Sequence, residues 1–199
     1  KSMLVFKGGT SLSKAYGLID RFSEDIDLIL DWHVIGYSSS EPWEERSNTQ
    51  QDKFGKQANL QTMEFLAETF TPQLQLDLEK RLGEVIPIEP VEQEVRIDYP
   101  QSFISEGLLS QIKLEIGPLA EPVPNEARAI RPYSAIEFPE FFGNPATTVQ
   151  TLYAERTFWE KATILHQEAH RGPEKPLPPR YSRHYYDLFR MDQSPVGVK

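Results

Sequence analysis

The sequence contains no cysteine, which excludes disulfides, a thiolate nucleophile and any cysteine-ligated zinc site. No run approaches the roughly 18 uncharged apolar residues of a membrane span, and nothing has the pattern of a signal peptide. A Walker P-loop, a G-x-G-x-x-G fingerprint and a G-x-S-x-G elbow are also missing. What is there is 199 residues, 39% hydrophobic and 11% aromatic. That suffices for one ordinary domain, with or without a small helical appendix, and is too apolar for a disordered chain. A soluble, cytoplasmic protein is expected. Lys1 is not a natural start, Leu4-Val5-Phe6 opens as if in mid-strand, and Ser194–Lys199 ends without a terminal helix or cap. An excised domain with a truncated helical part, or a chain lacking both flanks, is expected.

Positive charge is scarce. The net charge of -9 argues against broad non-specific binding of nucleic acid. The deficit is uneven: residues 1–149 carry 13 Lys+Arg against 24 Asp+Glu, and residues 150–199 carry 8 against 6. A phosphate-handling patch is therefore expected to draw on the C-terminal part. Carboxylate clusters in the acidic part are either solvated surface or holders of cations.

The apolar spacing predicts a strand at Leu4–Phe6 and a helix from Thr10 to Ile19, with Thr10 or Ser11 as its cap. It predicts a second strand at 26–30, entered through Ser23-Glu24-Asp25, and a polar loop over 36–56. A helix from Leu60 to Leu82, interrupted at Pro72, follows. Val95–Tyr99 and Gln111–Ile116 alternate as half-buried strands do. Residues 117–145 hold many of the 16 prolines and read as a connector. Thr147 or Thr148 is expected to cap a long helix through Ala169. A break at Pro173, Pro176, Pro178 and Pro179 precedes a last helix from Ser182 to Met191. The order predicts an α/β (α+β) fold: a small mixed sheet in residues 1–145 and a helical subdomain in 146–199.

Chemistry gathers at four places. Gly8-Gly9-Thr10 stands between a strand and a helix, where glycine amides can approach a phosphate and the Thr hydroxyl can donate to it. Asp25 and Asp27 are two apart on a strand and so share a face, opposite Ile26 and Leu28. Two adjacent carboxylates repel unless a cation lies between them, and magnesium suits one or two carboxylates plus substrate phosphates. Lys113 and Glu115 share a face of a later strand, where Glu115 can complete an acidic cluster or stand as half of a solvent-facing pair. Arg156, Glu160 and Lys161 on one helix, with Arg183, His184, Tyr186, Asp187 and Arg190 on the next, either hold a triphosphate or form interhelical salt bridges such as Arg183 with Glu160. His166-Gln167-Glu168-Ala169-His170 places its Glu one position late for a zinc-protease motif.

Together, Phe6–Lys14, Arg21-Phe22-Ser23-Glu24-Asp25-Ile26-Asp27-Leu28, Ile112–Ile116, Arg156–Ala162 and Arg180–Leu188 resemble the AbiEii-type nucleotidyltransferase toxins of the DNA polymerase beta-like superfamily. The likeness spans nearly the whole chain, and the two C-terminal blocks are its most specific part. It implies that Gly8, Gly9 and Thr10 hold nucleotide phosphates and that Asp25 and Asp27 bind metal. It implies Lys161 at the triphosphate and Asp187 as a catalytic residue, the acidic member of the motif that assists catalysis. Glu115 fits the third metal-binding position, with Lys113 as the alternative occupant of that role. Lys161 is expected to approach the Gly-Gly turn and the acid pair, with Asp187 nearby. The implied substrate is an NTP such as ATP with Mg2+ or Mn2+, the implied acceptor the 3′ end of tRNA, and the implied partner a separate antitoxin protein, in a toxin-antitoxin or phage-defence setting. No membrane partner is expected. A small molecule or protein side chain as acceptor, or a non-catalytic interaction module, are the competing readings.

Overall fold

The computed structural model describes residues 3–23, 25–100, 110–172, 174–176 and 178–198. Glu24 and Pro173 lie outside the described residues. In chain order the elements are β1 (Leu4–Lys7), α1 (Gly8–Lys14), β2 (Asp25–Leu30), α2 (Asn48–Phe65), α3 (Thr71–Leu82), β3 (Ile88–Val91), β4 (Glu94–Asp98), β5 (Gln111–Gly117), β6 (Asn125–Ile130), α4 (Tyr133–Glu137), β7 (Thr147–Leu152), α5 (Ala154–Ala169) and α6 (Ser182–Asp192). The fold is mixed α/β. Its contacts separate two compact units, one of Lys1–Val5 with Glu24–Pro122, the other of Phe6–Ser23 with Val123–Lys199. This division differs from a cut at residue 145, because β7 pairs with β1 and β6 and so draws its flanking helices into the unit of the Gly-Gly turn.

In the first unit the strands run in the order β3-β4-β5-β2. β2 and β5 are parallel, and the β3–β4 and β4–β5 pairs are antiparallel. One face of this sheet is apolar: Leu28, Leu30, Val95, Ile97, Leu114 and Ile116 pack with Ala58 and Leu66 of the helical layer. The period-2 alternation therefore does what it predicts, sending the charged positions to the other face. The helix starts far earlier than Leu60. Ser47 and Gln50 form a reciprocal capping box before Asn48, which satisfies two otherwise orphaned donors and makes a helix out of the polar stretch. Pro72 does not end that helix. A π-helical segment at Leu66–Phe70 joins α2 to α3 and leaves the proline near the α3 N-terminus, where a missing N–H costs little.

In the second unit β7 lies between β1, to which it is parallel, and β6, to which it is antiparallel. Thr147-Thr148-Val149-Gln150-Thr151-Leu152 is thus a strand, not a helix cap. Its β-branched residues suit the pleat, and pairing on both sides overrides the capping signal of its threonines. The stretch 117–145 is no plain connector either, since it contains β6 and α4. β6 escaped the pattern because its alanines are exposed, and Glu126 and Arg128 pack instead on Tyr16. α1 stops at Lys14, short of Ile19, and Gly17 follows with a φ of 62°. Leu12, Ile19, Ala154 and Met191 nonetheless share one core cluster. No helix among the described residues is long and apolar enough to cross a membrane.

Candidate active site

The polar face of the first unit carries the acid pair. Asp25 and Asp27 lie on one face of β2, as their spacing requires. The register sets Asp27 beside Glu115 and Asp25 beside Lys113. One strand further, Glu94 faces Glu115 and Arg96 faces Lys113. Cross-strand partners share a face, so one row reads Asp27, Glu115, Glu94 and the next Asp25, Lys113, Arg96. This distinguishes the two β5 positions: Glu115 neighbours Asp27, and Lys113 neighbours Asp25. Arg96 bonds Glu94 at 3.0 Å, which offsets one charge of the acidic row. Among the described residues no three carboxylate or imidazole side chains are gathered closely enough to hold a metal ion. The strands bring the acids together by backbone register. Their chemistry, all oxygen donors on one face, fits a hard divalent cation that takes one or two carboxylates and completes its shell elsewhere.

The second unit holds a buried ionic cluster beside its glycine turn. Gly8 has a φ of 75°, a conformation that favours glycine. Gly9 is close-packed: a Cβ there would stand 2.7 Å from Arg21 Nη2 and 3.0 Å from Ser23 Oγ. Thr10 is buried in the following turn. The Arg21 guanidinium donates both arms to Asp187, at 2.7 and 2.6 Å. Lys161 Nζ lies 2.9 Å from the same carboxylate.

The helices supply this geometry by simple periodicity. Ala154, Thr157 and Lys161 form the buried stripe of α5, and His184, Asp187 and Met191 that of α6. Each stripe carries one charged residue, and the two charges meet. Asp187 is fully buried and Lys161 is 6% exposed. Burial alone would raise the Asp187 pKa, but the Arg21 hydrogen bonds and the Lys161 charge outweigh it and hold it below the ordinary value. His184 is 9% exposed, and its Nδ1 has no hydrogen-bond partner among the described residues. Burial, then the positive charges of Lys161 and Arg183, push its pKa down to about 4.

The sequence-derived candidates thus fall into two groups. Gly8, Gly9, Thr10, Lys161 and Asp187 belong to one unit, and Asp25, Asp27 and Glu115 to the other. Interhelical salt bridging does occur, but as Lys161–Asp187. Glu160 pairs with Lys7 at 3.8 Å and Arg156 at 3.7 Å, and among the described residues not with Arg183, the example of such a bridge. Two participants carry no signal of their role in the sequence. Arg21 stands inside a motif, and nothing in its spacing points to a helix 166 positions away. Glu94 lies in an acidic stretch without a distinguishing pattern.

A strand-borne acid pair and a glycine turn backed by a buried Lys–Asp–Arg cluster, in a mixed α/β fold, form a combination suited to nucleotides and cations. The class is that of the nucleotidyltransferases. Residues 1–198 match the AbiEii family, described as nucleotidyl transferase AbiEii toxin, type IV TA system, and the chain belongs to that family. A similar solved structure is MenT4, the nucleotidyltransferase toxin Rv2826c from Mycobacterium tuberculosis H37Rv. It is 17% identical with a TM-score of 0.41, over 86% of this chain and 51% of that one. This chain thus spans about half the length of MenT4. No curated protein matches it.

Proposed function

We propose that this protein transfers a nucleotide from an NTP to a 3′-terminal hydroxyl of tRNA, acting in the cytoplasm as a toxin restrained by a separate antitoxin protein. The observation that carries this reading is the register of β2 and β5, which sets Asp25, Asp27 and Glu115 on one face. Membership of the toxin family supports it. The acceptor hydroxyl gives its proton to water, and its oxygen bonds to the α-phosphorus. The bond from that phosphorus to the oxygen bridging to the β-phosphate breaks, and pyrophosphate leaves. Asp25 and Asp27 would hold Mg2+ or Mn2+, with Glu115 as the third acid of the face. When bound, the cation neutralises phosphate charge and orients the attacking oxygen.

The amides of Gly8 and Gly9 and the Thr10 hydroxyl take the phosphates. Lys161 presents a compact charge to them, as lysine does at phosphate sites. Asp187 acts by position. A carboxylate held ionised by two cations is a poor proton acceptor, but it fixes where Lys161 and Arg21 point.

Incubation of the protein with each labelled NTP, Mg2+ and total tRNA tests the reading. Label is expected in tRNA with one preferred NTP, abolished by Asp27→Ala. Lys161→Ala is expected to weaken NTP binding, by less at high salt, with partial rescue by Lys161→Arg. Transfer to no RNA, or transfer indifferent to Asp27→Ala, overturns it.

A further inference from the structure

The loop after β2 contains a second hydrogen-bonded chain of reactive groups. Asp31 Oδ1 lies 2.6 Å from His33 Nδ1, and His33 Nε2 lies 2.9 Å from Ser39 Oγ. Asp31 is buried at 7% exposure. An ionised carboxylate can only accept, so it assigns the imidazole proton to Nδ1 and leaves Nε2 to accept the serine hydroxyl. Acid, imidazole and hydroxyl in that order and at those distances are the arrangement that activates a serine. Asp31 also accepts the His33 amide at 3.1 Å and so caps the 3₁₀ turn Trp32–Ile35. Capping accounts for that amide bond. It does not account for an imidazole bonded through one nitrogen to a buried carboxylate and through the other to an exposed hydroxyl.

The chain singles out one serine of three. Ser38 and Ser40 face each other at 3.2 Å, and Ser38 Oγ also accepts the Glu41 amide. Only Ser39, of these three, meets the imidazole. Its own amide and that of Ser40 donate to no partner among the described residues, which leaves two N–H groups near the hydroxyl for a developing oxyanion. The same loop walls a cavity of about 130 Å³, where Tyr37, Pro42 and Trp43 meet Trp32, Phe54 and Leu119. The Trp32 indole donates to the Pro118 carbonyl and steadies that wall. A cavity of this size and lining takes one aromatic ring or a short alkyl group. Asp31 follows the end of β2, about 13 Å from Asp27 and about 20 Å from Asp25 at roughly 3.3 Å per residue.

We propose that Ser39 is a nucleophile toward small carboxylic esters whose aromatic or short alkyl part enters this cavity. The Ser39 oxygen bonds to the ester carbonyl carbon while its proton passes to His33 Nε2. The bond from that carbon to the leaving alkoxide oxygen then breaks, and the alkoxide takes the proton from His33. Water, giving its proton to His33, attacks the acyl-serine; a carboxylic acid leaves and Ser39 recovers its proton. Asp31 is a positioning residue that holds the tautomer.

The test treats the purified chain with a tagged fluorophosphonate, maps the labelled peptide, and measures phenyl acetate hydrolysis. One label on Ser39 is expected. It is absent in Ser39→Ala, slowed at least about tenfold in His33→Ala and in Asp31→Asn, and retained in Ser38→Ala. Hydrolysis is expected to fall at least about 100-fold in Ser39→Ala. Because Ser39 is exposed, that variant keeps its fold, which circular dichroism checks. No label, equal label on Ser38, Ser39 and Ser40, or labelling unchanged in His33→Ala overturns the proposal.

Discussion

Asp27 and Asp187 are carboxylates of the same kind in opposite surroundings. Asp27 stands on a partly exposed sheet face, with Glu115 beside it and Glu94 one strand beyond. Asp187 is fully buried between Arg21 and Lys161. The first arrangement gathers like charges and is suited to a cation from solution. The second has its cations built in, and burial makes their pairing a condition of the fold. One unit thus lines up acids on a sheet face, and in the other an acid holds a lysine and an arginine in place. The same residue type stands half-exposed among like charges in one case and buried between cations in the other.

The sharpest way to break this contrast is Asp187→Ala. It strands Lys161 beside Arg21 in a buried site, so a loss of about 3–5 kcal/mol is expected in denaturant unfolding. Hydrogen exchange should rise in α5 and α6 while β4 and β5 keep their protection. Equal loosening of both units would show that Asp187 is not confined to a local role.

Acid should act on the same cluster. The folded pKa of His184, about 4, lies below its ordinary 6.5, so the unfolded chain binds the extra proton first. Stability contributed by neutral His184 is full above pH 6.5 and is lost as pH falls toward 4, by up to about 3 kcal/mol. Below 3.8 a further loss follows as Asp187, whose pKa is lowered, takes its proton. A pH series of melting temperatures should show the first slope in the parent and not in His184→Leu.

Gly9→Ala should cost about 1–3 kcal/mol, because the new methyl meets an arginine held by two hydrogen bonds. A neutral result in thermal unfolding would mean that Arg21 can leave Asp187 at little cost. The smallest stability effect is expected for Asp27→Ala, within about 0.5 kcal/mol of the parent, with transfer to RNA lost. If this variant unfolds as readily as Asp187→Ala, the contrast between the two acids fails.

Much of this was legible in the chain. The alternation of Ile112, Leu114 and Ile116 with Lys113 and Glu115 defined β5 and its charged face, because a pleat has only two sides. Spacing likewise put Asp25 with Asp27, and the block Arg180–Leu188 pointed to Asp187. Local signals misled where partners were distant. Thr147 and Thr148 look like caps, and only pairing with β1 and β6 makes them a strand. Residues 117–145 look like a connector, and only pairing with β7 makes Asn125–Ile130 a strand.

The sequence by itself determined which residues share a strand face or a helix stripe, since those periodicities are properties of the backbone. It could therefore present Asp25 with Asp27 and His184 with Asp187. Only the tertiary structure decided that Arg21 closes on Asp187, that Lys161 is buried against it, and that Glu115 rather than Lys113 stands beside Asp27. Charge pairing across 166 positions and strand register depend on how separate elements pack, and no local period encodes that.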